Sequence, residues 1–126
     1  MEYSITPDEQ AKYITLKIRG RIDQRTMLER IVDTSELAAK LGLDRFLADF
    51  TEAQNAGSIS DDYKLANVDT RNNRSINHYS RVALLVAPED HSYDFLEIAS
   101  RNAGWNLRLF RDRQEALKFL GVLNPE

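Results

Sequence analysis

The stretch Arg81-Val82-Ala83-Leu84-Leu85-Val86-Ala87 is the clearest buried strand in this sequence, because its centre holds five consecutive apolar residues. Apolar runs without alternation are typical of strands that are covered on both faces, as in parallel sheets. Two further compact apolar runs, Arg45–Phe50 and Leu107–Phe110, lie before and after it in the chain. Helix-like stretches separate the three runs, and this order predicts an α/β fold with parallel strands and crossover helices.

Upstream of these runs, two shorter segments have the pattern of a β-hairpin. Tyr3–Thr6 is β-prone and is followed by a turn at Pro7, and Tyr13–Arg19 alternates apolar and polar residues. Such alternation predicts a strand with one buried and one partly solvated face, and Gly20 is expected to end it. Because the two segments are close in sequence, we predict that they pair antiparallel.

Four helices are expected from cap residues, stop residues and apolar spacing. They are Gln24–Leu41 after the cap Asp23, a helix capped by Ser60 that weakens over residues 71–74, Glu89–Ala103 with Pro88 in its first turn, and a last helix after the cap Asp112. Residues 51–60 are expected to be irregular, with a turn at Asn55–Ser58. The predicted order is β-β-α-β-α-β-α-β-α in a single domain over residues 1–126, with a mixed sheet of about five strands and helices mainly on one face.

The composition excludes several classes of protein and site. The chain has 17 basic and 20 acidic residues and a formal net charge of −3, which argues against a nucleic-acid-binding protein. It has no cysteine, which excludes disulfides, thiolate nucleophiles and cysteine metal ligands. The N-terminus lacks a signal-peptide pattern, and no apolar run approaches the ~20 residues of a spanning helix. A soluble, cytoplasmic protein with no transmembrane segment is therefore expected.

Polar residues follow the predicted strands at their carboxyl ends, where ligands bind in open α/β sheets. His91 is the acid–base candidate among them, and Ser58, His91 and Asp49 have the residue types of a nucleophilic triad. However, the sequence has no Gly-x-Ser-x-Gly elbow, no zinc or calcium motif and no phosphate loop. Caps and turns explain these residues better, so we expect no catalytic residue, no metal and no cofactor. An enzyme that uses His91 is the least favoured of three hypotheses.

Three strings resemble the SpoIIAA-like group of STAS domains, a family of sulfate-transporter and anti-sigma-factor-antagonist modules that is also described as SEC14-related. They are Leu47–Thr51, Arg81–Val86 and Asn106–Leu120, of which the last has a short strand, an acidic cap and an amphipathic helix. The likeness covers most of the chain. It implies a STAS-like fold and a non-enzymatic regulatory role that is exerted by binding a protein partner.

In anti-sigma-factor antagonists that the chain resembles, a strand ends in Asp-hydrophobic-Ser/Thr, and a helix then begins with Asp-Ser, whose serine is phosphorylated by a partner kinase. Asp49-Phe50-Thr51 matches the first element, and Ser58 occupies the switch position, with Gly57 in place of the aspartate. The resemblance thus implies a partner-binding surface with a phosphorylation site at Ser58. The candidate contact residues are Asp49, Thr51, Asn55, Ser58 and Asp62.

The relation to SEC14 proteins implies a second hypothesis, which is a small carrier of a lipid or other apolar ligand. Such a carrier needs a pocket between the helices and the sheet. The pocket would be lined by Phe50, Tyr63, Leu65, Tyr93 and Phe95, although all five would serve equally well in an ordinary core. The half-solvated hairpin and its edge strand also leave a homodimer open.

Overall fold

Five strands form a mixed sheet in a computed structural model of the chain, which describes residues 2–69, 76–77 and 79–122. The strands lie side by side in chain order, as β1 (Glu2–Asp8), β2 (Tyr13–Ile22), β3 (Arg45–Asn55), β4 (Arg81–Val86) and β5 (Asn106–Phe110). β1 pairs antiparallel with β2, whereas β2 to β5 are parallel neighbours. The predicted hairpin and the predicted α/β sheet are therefore confirmed.

The helices are α1 (Gln24–Leu41), α2 (Ile59–Lys64), α3 (Asp94–Asn102) and α4 (Arg113–Leu120), and α2 continues as a π-helical segment over Leu65–Asp69. α1, α2 and α3 each connect two neighbouring parallel strands, and crossovers of one hand place them on one face of the sheet. α4 follows the last strand and packs on the opposite face. Helices mainly on one face are thus confirmed. None of the described helices is long and apolar enough to cross a membrane.

Both faces of β4 are buried, which explains why its sequence is apolar without alternation. Leu84 and Val86 point towards the side of α1–α3 and pack in one core with Leu96. Leu85 points to the other face, where it packs with Leu120 of α4. Complete burial of an aliphatic side chain of this size stabilises a fold by about 1.5–3 kcal/mol. The central strand therefore contributes to two cores at once.

α1 begins and ends where its cap and stop residues predict. The Asp23 carboxylate accepts a hydrogen bond of 2.8 Å from the backbone N–H of Thr26. Gly42 ends the helix in the left-handed conformation, with φ of 69°. This conformation costs glycine little and other residues more, so the sequence signal for the helix end is strong.

β2 and β3 are longer than the sequence predicts. Gly20 does not end β2 as expected, because the strand continues to Ile22 with Gly20 at φ of 100°. β3 continues to Asn55, so the prediction that residues 51–55 are irregular is wrong. A β-bulge separates the two halves of this strand pair, because Lys17 pairs with Asp49 whereas Arg19 pairs with Glu52.

Two helix starts also differ from the prediction. Ser58, rather than Ser60, is the N-cap of α2, because its side chain forms a reciprocal capping box with Asp61. α3 begins at Asp94 rather than at Glu89, and Pro88 lies in the turn before it. The predicted weakening of a helix over residues 71–74 lies outside the described residues.

Candidate functional site

A buried polar cluster lies at the carboxyl end of β3, on the face covered by α1–α3. It consists of Gln24, the first residue of α1, Asn55, the last residue of β3, and Asp62 in α2, with exposed fractions of 8%, 9% and 3%. Asn55 Nδ2 donates to Asp62 Oδ1 at 3.0 Å. Gln24 Nε2 donates to Asn55 Oδ1 at 3.0 Å and to the Asp62 carboxylate. The amide cluster, as we call these three residues, therefore ties α1, β3 and α2 together.

Asn55 also connects this cluster to the two neighbouring loops. Its backbone N–H donates to Ser92 Oγ at 3.1 Å, and its Nδ2 donates to the Ser92 carbonyl at 3.0 Å. Its Oδ1 accepts from the backbone N–H of Gly57 at 2.9 Å. A Cβ atom at Gly57 would lie 1.6 Å from Gln24 Oε1, so any larger residue here would require the Gln24 amide to shift.

Among the described residues, no positively charged side chain forms a hydrogen bond or an ion pair with the Asp62 carboxylate. Burial raises the pKa of its carboxyl above the usual value, and this effect outweighs the opposing hydrogen bonds from Asn55 and Gln24. The buried Gln24 Oε1 and the buried hydroxyl of Tyr93 have no hydrogen-bond partner within the described part of the chain. Burial also raises the pKa of Tyr93, with smaller contributions from Asp90 and Asp62. The cluster is therefore held by neutral amides and carries an uncompensated acid.

Asp49 lies in β3 on the opposite face of the sheet, next to α4. Its Oδ2 accepts from Arg113 Nη2 at 2.7 Å, and its Oδ1 accepts from Thr51 Oγ1 at 2.7 Å and from the Thr51 backbone N–H at 3.2 Å. Burial by itself would raise the pKa of Asp49, but the bonds from Arg113 and Thr51 together lower it below its usual value. Asp49 is thus an ionised residue that fastens the start of α4 to the sheet.

The five predicted contact residues are therefore divided between the two faces of the sheet. Asn55 and Asp62 belong to the amide cluster, and Ser58 caps the helix that carries Asp62. Asp49 and Thr51 lie on the α4 face, where they bind each other. Sequence patterns do not pair Gln24, Ser92 or Arg113 with these residues, because the partners lie 31, 37 and 64 positions apart in the chain. Pairings over such separations leave no local signal.

Ser58 is exposed at the start of α2. Its Oγ accepts from the backbone N–H of Asp61 at 3.1 Å, and Asp61 Oδ2 accepts from the backbone N–H of Ser58 at 3.1 Å. A phosphate there would lie close to Asp61 and would add negative charge to an acidic helix start.

Ser58, His91 and Asp49 are not brought together as a triad. His91 Nδ1 lies 2.9 Å from Asp94 Oδ2 and 3.2 Å from Arg111 Nη2, while Asp49 is bound to Arg113 on the other face. The described residues also contain no group of three His, Cys, Asp or Glu side chains placed to hold a metal ion.

An apolar cavity of about 130 Å³ lies between the helices and the sheet. Of the five residues predicted to line a pocket, Phe50 and Leu65 line this cavity. Tyr63 is 57% exposed on α2, Tyr93 is fully buried beside Phe50 with ring centroids 5.5 Å apart, and Phe95 packs against a small alanine cluster. The cavity therefore lies in the layer where a pocket is predicted and shares two of the five predicted lining residues.

No protein-family model matches this chain, and no curated protein matches it. The chain is similar to the crystal structure of an uncharacterised protein of the DUF3478 family with a SpoIIAA-like fold from Shewanella loihica PV-4. The two chains are 22% identical, the TM-score is 0.49, and the likeness covers 94% of this chain and 92% of that chain. The fold named for that protein is the one that the sequence resemblance predicts. The likeness concerns the fold alone.

Proposed function

We propose that this chain is a non-enzymatic regulatory module that binds a protein partner through α2 and the π-helical segment after it. The observation that carries this proposal is the exposure of Ile59, Tyr63 and Val68, whose exposed fractions are 66%, 57% and 42%. We call these three side chains the α2 surface. Large apolar side chains that are exposed together are typical of protein interaction sites, and tyrosine is common among residues that dominate binding energy.

The concentration of these side chains supports the proposal. Six large apolar side chains are exposed in the described part of the chain, and three of them lie within ten consecutive residues. Ile59 and Tyr63 are four residues apart on α2, so they lie on the same side of the helix. Asp61 and Lys64 are exposed between and beside them and supply a polar rim. An apolar centre with a polar rim is the usual anatomy of a transient interface.

The amide cluster explains how so short a helix can present a fixed surface. α2 has six residues, and a helix of that length is not stable by itself in water. Asp62 projects inward from α2 and is bound by Asn55 and Gln24, so the helix is fastened to the sheet and to α1. A surface that is ordered before binding loses less conformational entropy when a partner binds. The cluster therefore favours binding without being part of the contact.

Ser58 supplies a way to regulate this binding. It is exposed, and Ile59, the first residue of the α2 surface, follows it directly. Phosphorylation would add a charge of about −1.5 to −2 at this position. The added charge would lie beside Ile59 and Asp61, so it would raise the cost of burying Ile59 against a partner.

The proposal is tested by comparing three forms of the chain as bait in cross-linked pull-downs from its own host. The forms are the wild type, the double variant Ile59→Ser/Tyr63→Ser, and Tyr3→Ser, which removes an exposed tyrosine from β1 instead. A partner is expected to bind the wild type and Tyr3→Ser and to be lost with the double variant. That partner is then purified and titrated against all three forms. Equal affinity for all three would overturn the proposal.

A further inference from the structure

Three arginines lie together on the α4 face of the sheet, towards the amino ends of the parallel strands. Arg45 is the first residue of β3, Arg81 is the first residue of β4, and Arg108 lies in the middle of β5. The Cζ atoms of Arg81 and Arg108 are 5.5 Å and 5.8 Å from the centroid of the Phe119 ring. Arg45 Nη1 lies 3.7 Å from the position of a Cβ atom at Gly121, which ends α4. We call these three arginines the arginine cluster.

The arginine cluster has no carboxylate to neutralise it. None of its members forms an ion pair with an acidic side chain of the described residues. Five described arginines have no ion pair, and the cluster holds three of them, while the other two are Arg21 in β2 and Arg101 in α3. Arg45 and Arg108 also form no hydrogen bond within the described part of the chain. Each of these two guanidiniums therefore keeps its N–H donors available.

Stabilisation of α4 accounts for one member of the cluster. Arg81 Nη1 donates to the Phe119 carbonyl at 2.9 Å, and a cation is favourable at a helix C-terminus. Arg45 forms no such bond, and it lies directly opposite Arg81 in the register of β3 and β4. Neighbouring strands are about 4.8 Å apart, and like charges at opposite positions destabilise a sheet. An anion bound to both arginines would relieve this repulsion.

The spacing of the cluster favours an acidic protein segment over other anions. Its members come from three adjacent strands, so they are spread over roughly 10 Å across the sheet. Alternate side chains of an extended segment are about 7 Å apart, and two or three carboxylates along such a segment match this spread better than one phosphate. A nucleic acid brings much more negative charge than the contact uses, and a chain of net charge −3 repels that excess.

We propose that the arginine cluster is a docking site for an extended acidic segment of a partner protein. Its carboxylates would accept paired hydrogen bonds from the guanidiniums of Arg45 and Arg108, a geometry for which arginine is suited. The contacts of Phe119 with Arg81 and Arg108 position two of the guanidiniums before binding, which lowers the entropic cost. The proposal does not depend on the proposed function, because α4 and the α2 surface lie on opposite faces of the sheet.

The test uses a short fluorescein-labelled peptide in which glutamate and serine alternate, and a second peptide with glutamine in place of glutamate. Fluorescence anisotropy is recorded while the full chain is added at low ionic strength. Only the glutamate peptide is expected to give saturable binding, and added salt should weaken it. The double variant Arg45→Gln/Arg108→Gln is expected to bind this peptide at least about tenfold more weakly, because two charged donors are lost.

Arg21→Gln/Arg101→Gln is the matched control, because it removes the same charge from the two other arginines that have no ion pair. It should bind within about twofold of the wild type, since only the overall charge has changed. If the first double variant does not fold, as judged by circular dichroism, the exposed single changes Arg108→Gln and Arg101→Gln replace the two doubles. Arg108→Gln alone should then weaken binding, by at least about threefold.

Three results would overturn the proposal. The first is a glutamate peptide that shows no saturable binding to the wild type. The second is an equal loss of affinity in the cluster variant and in its matched control. The third is a single-stranded oligothymidylate that binds more tightly than the peptide and is lost with the same cluster variant, since the cluster would then be a nucleic-acid site.

Discussion

Asp49 and Asp62 are both 3% exposed, yet they lie on opposite faces of the same sheet, and their pKa values are displaced in opposite directions. Asp49 is bound by the guanidinium of Arg113 and by Thr51, so its carboxylate is stabilised as an anion. Asp62 is bound by two neutral amides, and burial dominates its pKa. The two carboxylates are equally buried, but their pKa values shift in opposite directions. The charge and number of the hydrogen-bond donors decide which protonation state is favoured.

Asp49 is a carboxylate that stabilises the fold, whereas Asp62 is a carboxylate whose burial costs stability. Asp49 joins α4 to β3, and every donor around it favours the ionised form. Asp62 places an uncompensated acid under a short helix, and the fold tolerates this because Asn55 and Gln24 hold it. Sites where a fold accepts such a cost are frequently functional. The difference between the two carboxylates therefore favours the face that carries α2 as the location of a functional site.

The largest effect is expected from Asn55→Ala, which removes the centre of the amide cluster. The change leaves Asp62 with fewer donors and breaks the bonds to Ser92 and Gly57, so we expect a loss of about 3 kcal/mol in the free energy of unfolding. Urea denaturation measures this loss, and hydrogen exchange should show early opening of α2. Gln54→Ala, at the exposed neighbouring position, is the control. An equal loss in both variants would contradict the role assigned to the cluster.

A smaller loss, about 2 kcal/mol, is expected from Arg113→Met. Breaking a buried ion pair costs about 3–5 kcal/mol, but the side chain of Arg113 is 52% exposed and solvent reduces the effect. Lys118→Met on the same helix is the control for the loss of one surface charge. Partner binding through the α2 surface should be unchanged in Arg113→Met. If partner binding falls in Arg113→Met, the two faces are not independent.

Asp49→Asn and Asp62→Asn should change the pH dependence of stability in opposite directions. The folded-state pKa of Asp49 lies below 3.8, so its ionised form contributes stability that is present above pH 3.8 and is lost as pH falls through the folded pKa. The folded-state pKa of Asp62 lies above 3.8, so its ionisation reduces stability as pH rises from 3.8 through the folded pKa.

The measurement is chemical denaturation of the wild type and both variants between pH 3 and pH 8. Relative to the wild type, Asp62→Asn should become more stable as pH rises, whereas Asp49→Asn should become less stable. A tenfold difference between the folded and unfolded acid dissociation constants corresponds to about 1.4 kcal/mol in the free energy of unfolding. Parallel profiles for the two variants would show that the carboxylates are in equivalent environments and would remove the contrast.

The smallest stability effect is expected at Ser58, on the exposed edge of the α2 side. Ser58→Ala removes the cap of α2 and should cost about 1 kcal/mol, whereas Ser58→Asp keeps a good cap and should stay within about 0.5 kcal/mol of the wild type. Partner binding should show the reverse order, with Ser58→Asp weaker because of its added charge. A titration in which Ser58→Asp binds as tightly as the wild type would contradict the proposed regulation.

The fold could be predicted from local signals where these are strong. Asp23 and Gly42 define α1 correctly, and the apolar run in β4 identifies the central strand. The end of β3 could not be predicted, because Thr-Glu-Ala-Gln-Asn at residues 51–55 has the composition of a loop. Pairing with β2, rather than intrinsic propensity, makes these residues a strand.

The β-bulge in β3 explains why the candidate site was predicted only in part. In a regular strand Asp49, Thr51 and Asn55 would share one face, because their numbers differ by multiples of two. The bulge adds one residue between Asp49 and Glu52 relative to β2 and moves Asn55 to the opposite face. The sequence therefore predicts the polar residues at this end of the sheet but not their division between α4 and α2.

The contact between Gly57 and Gln24 has a consequence for sequence variation. An aspartate at residue 57, as in the antagonists that the chain resembles, would place its Cβ on the Gln24 amide. The amide could not move aside without giving up its bonds to Asn55 and Asp62. An aspartate here therefore needs a smaller residue at position 24 and a different partner for Asp62. A substitution at residue 57 is therefore expected to be accepted only together with compensating changes at residues 24 and 62.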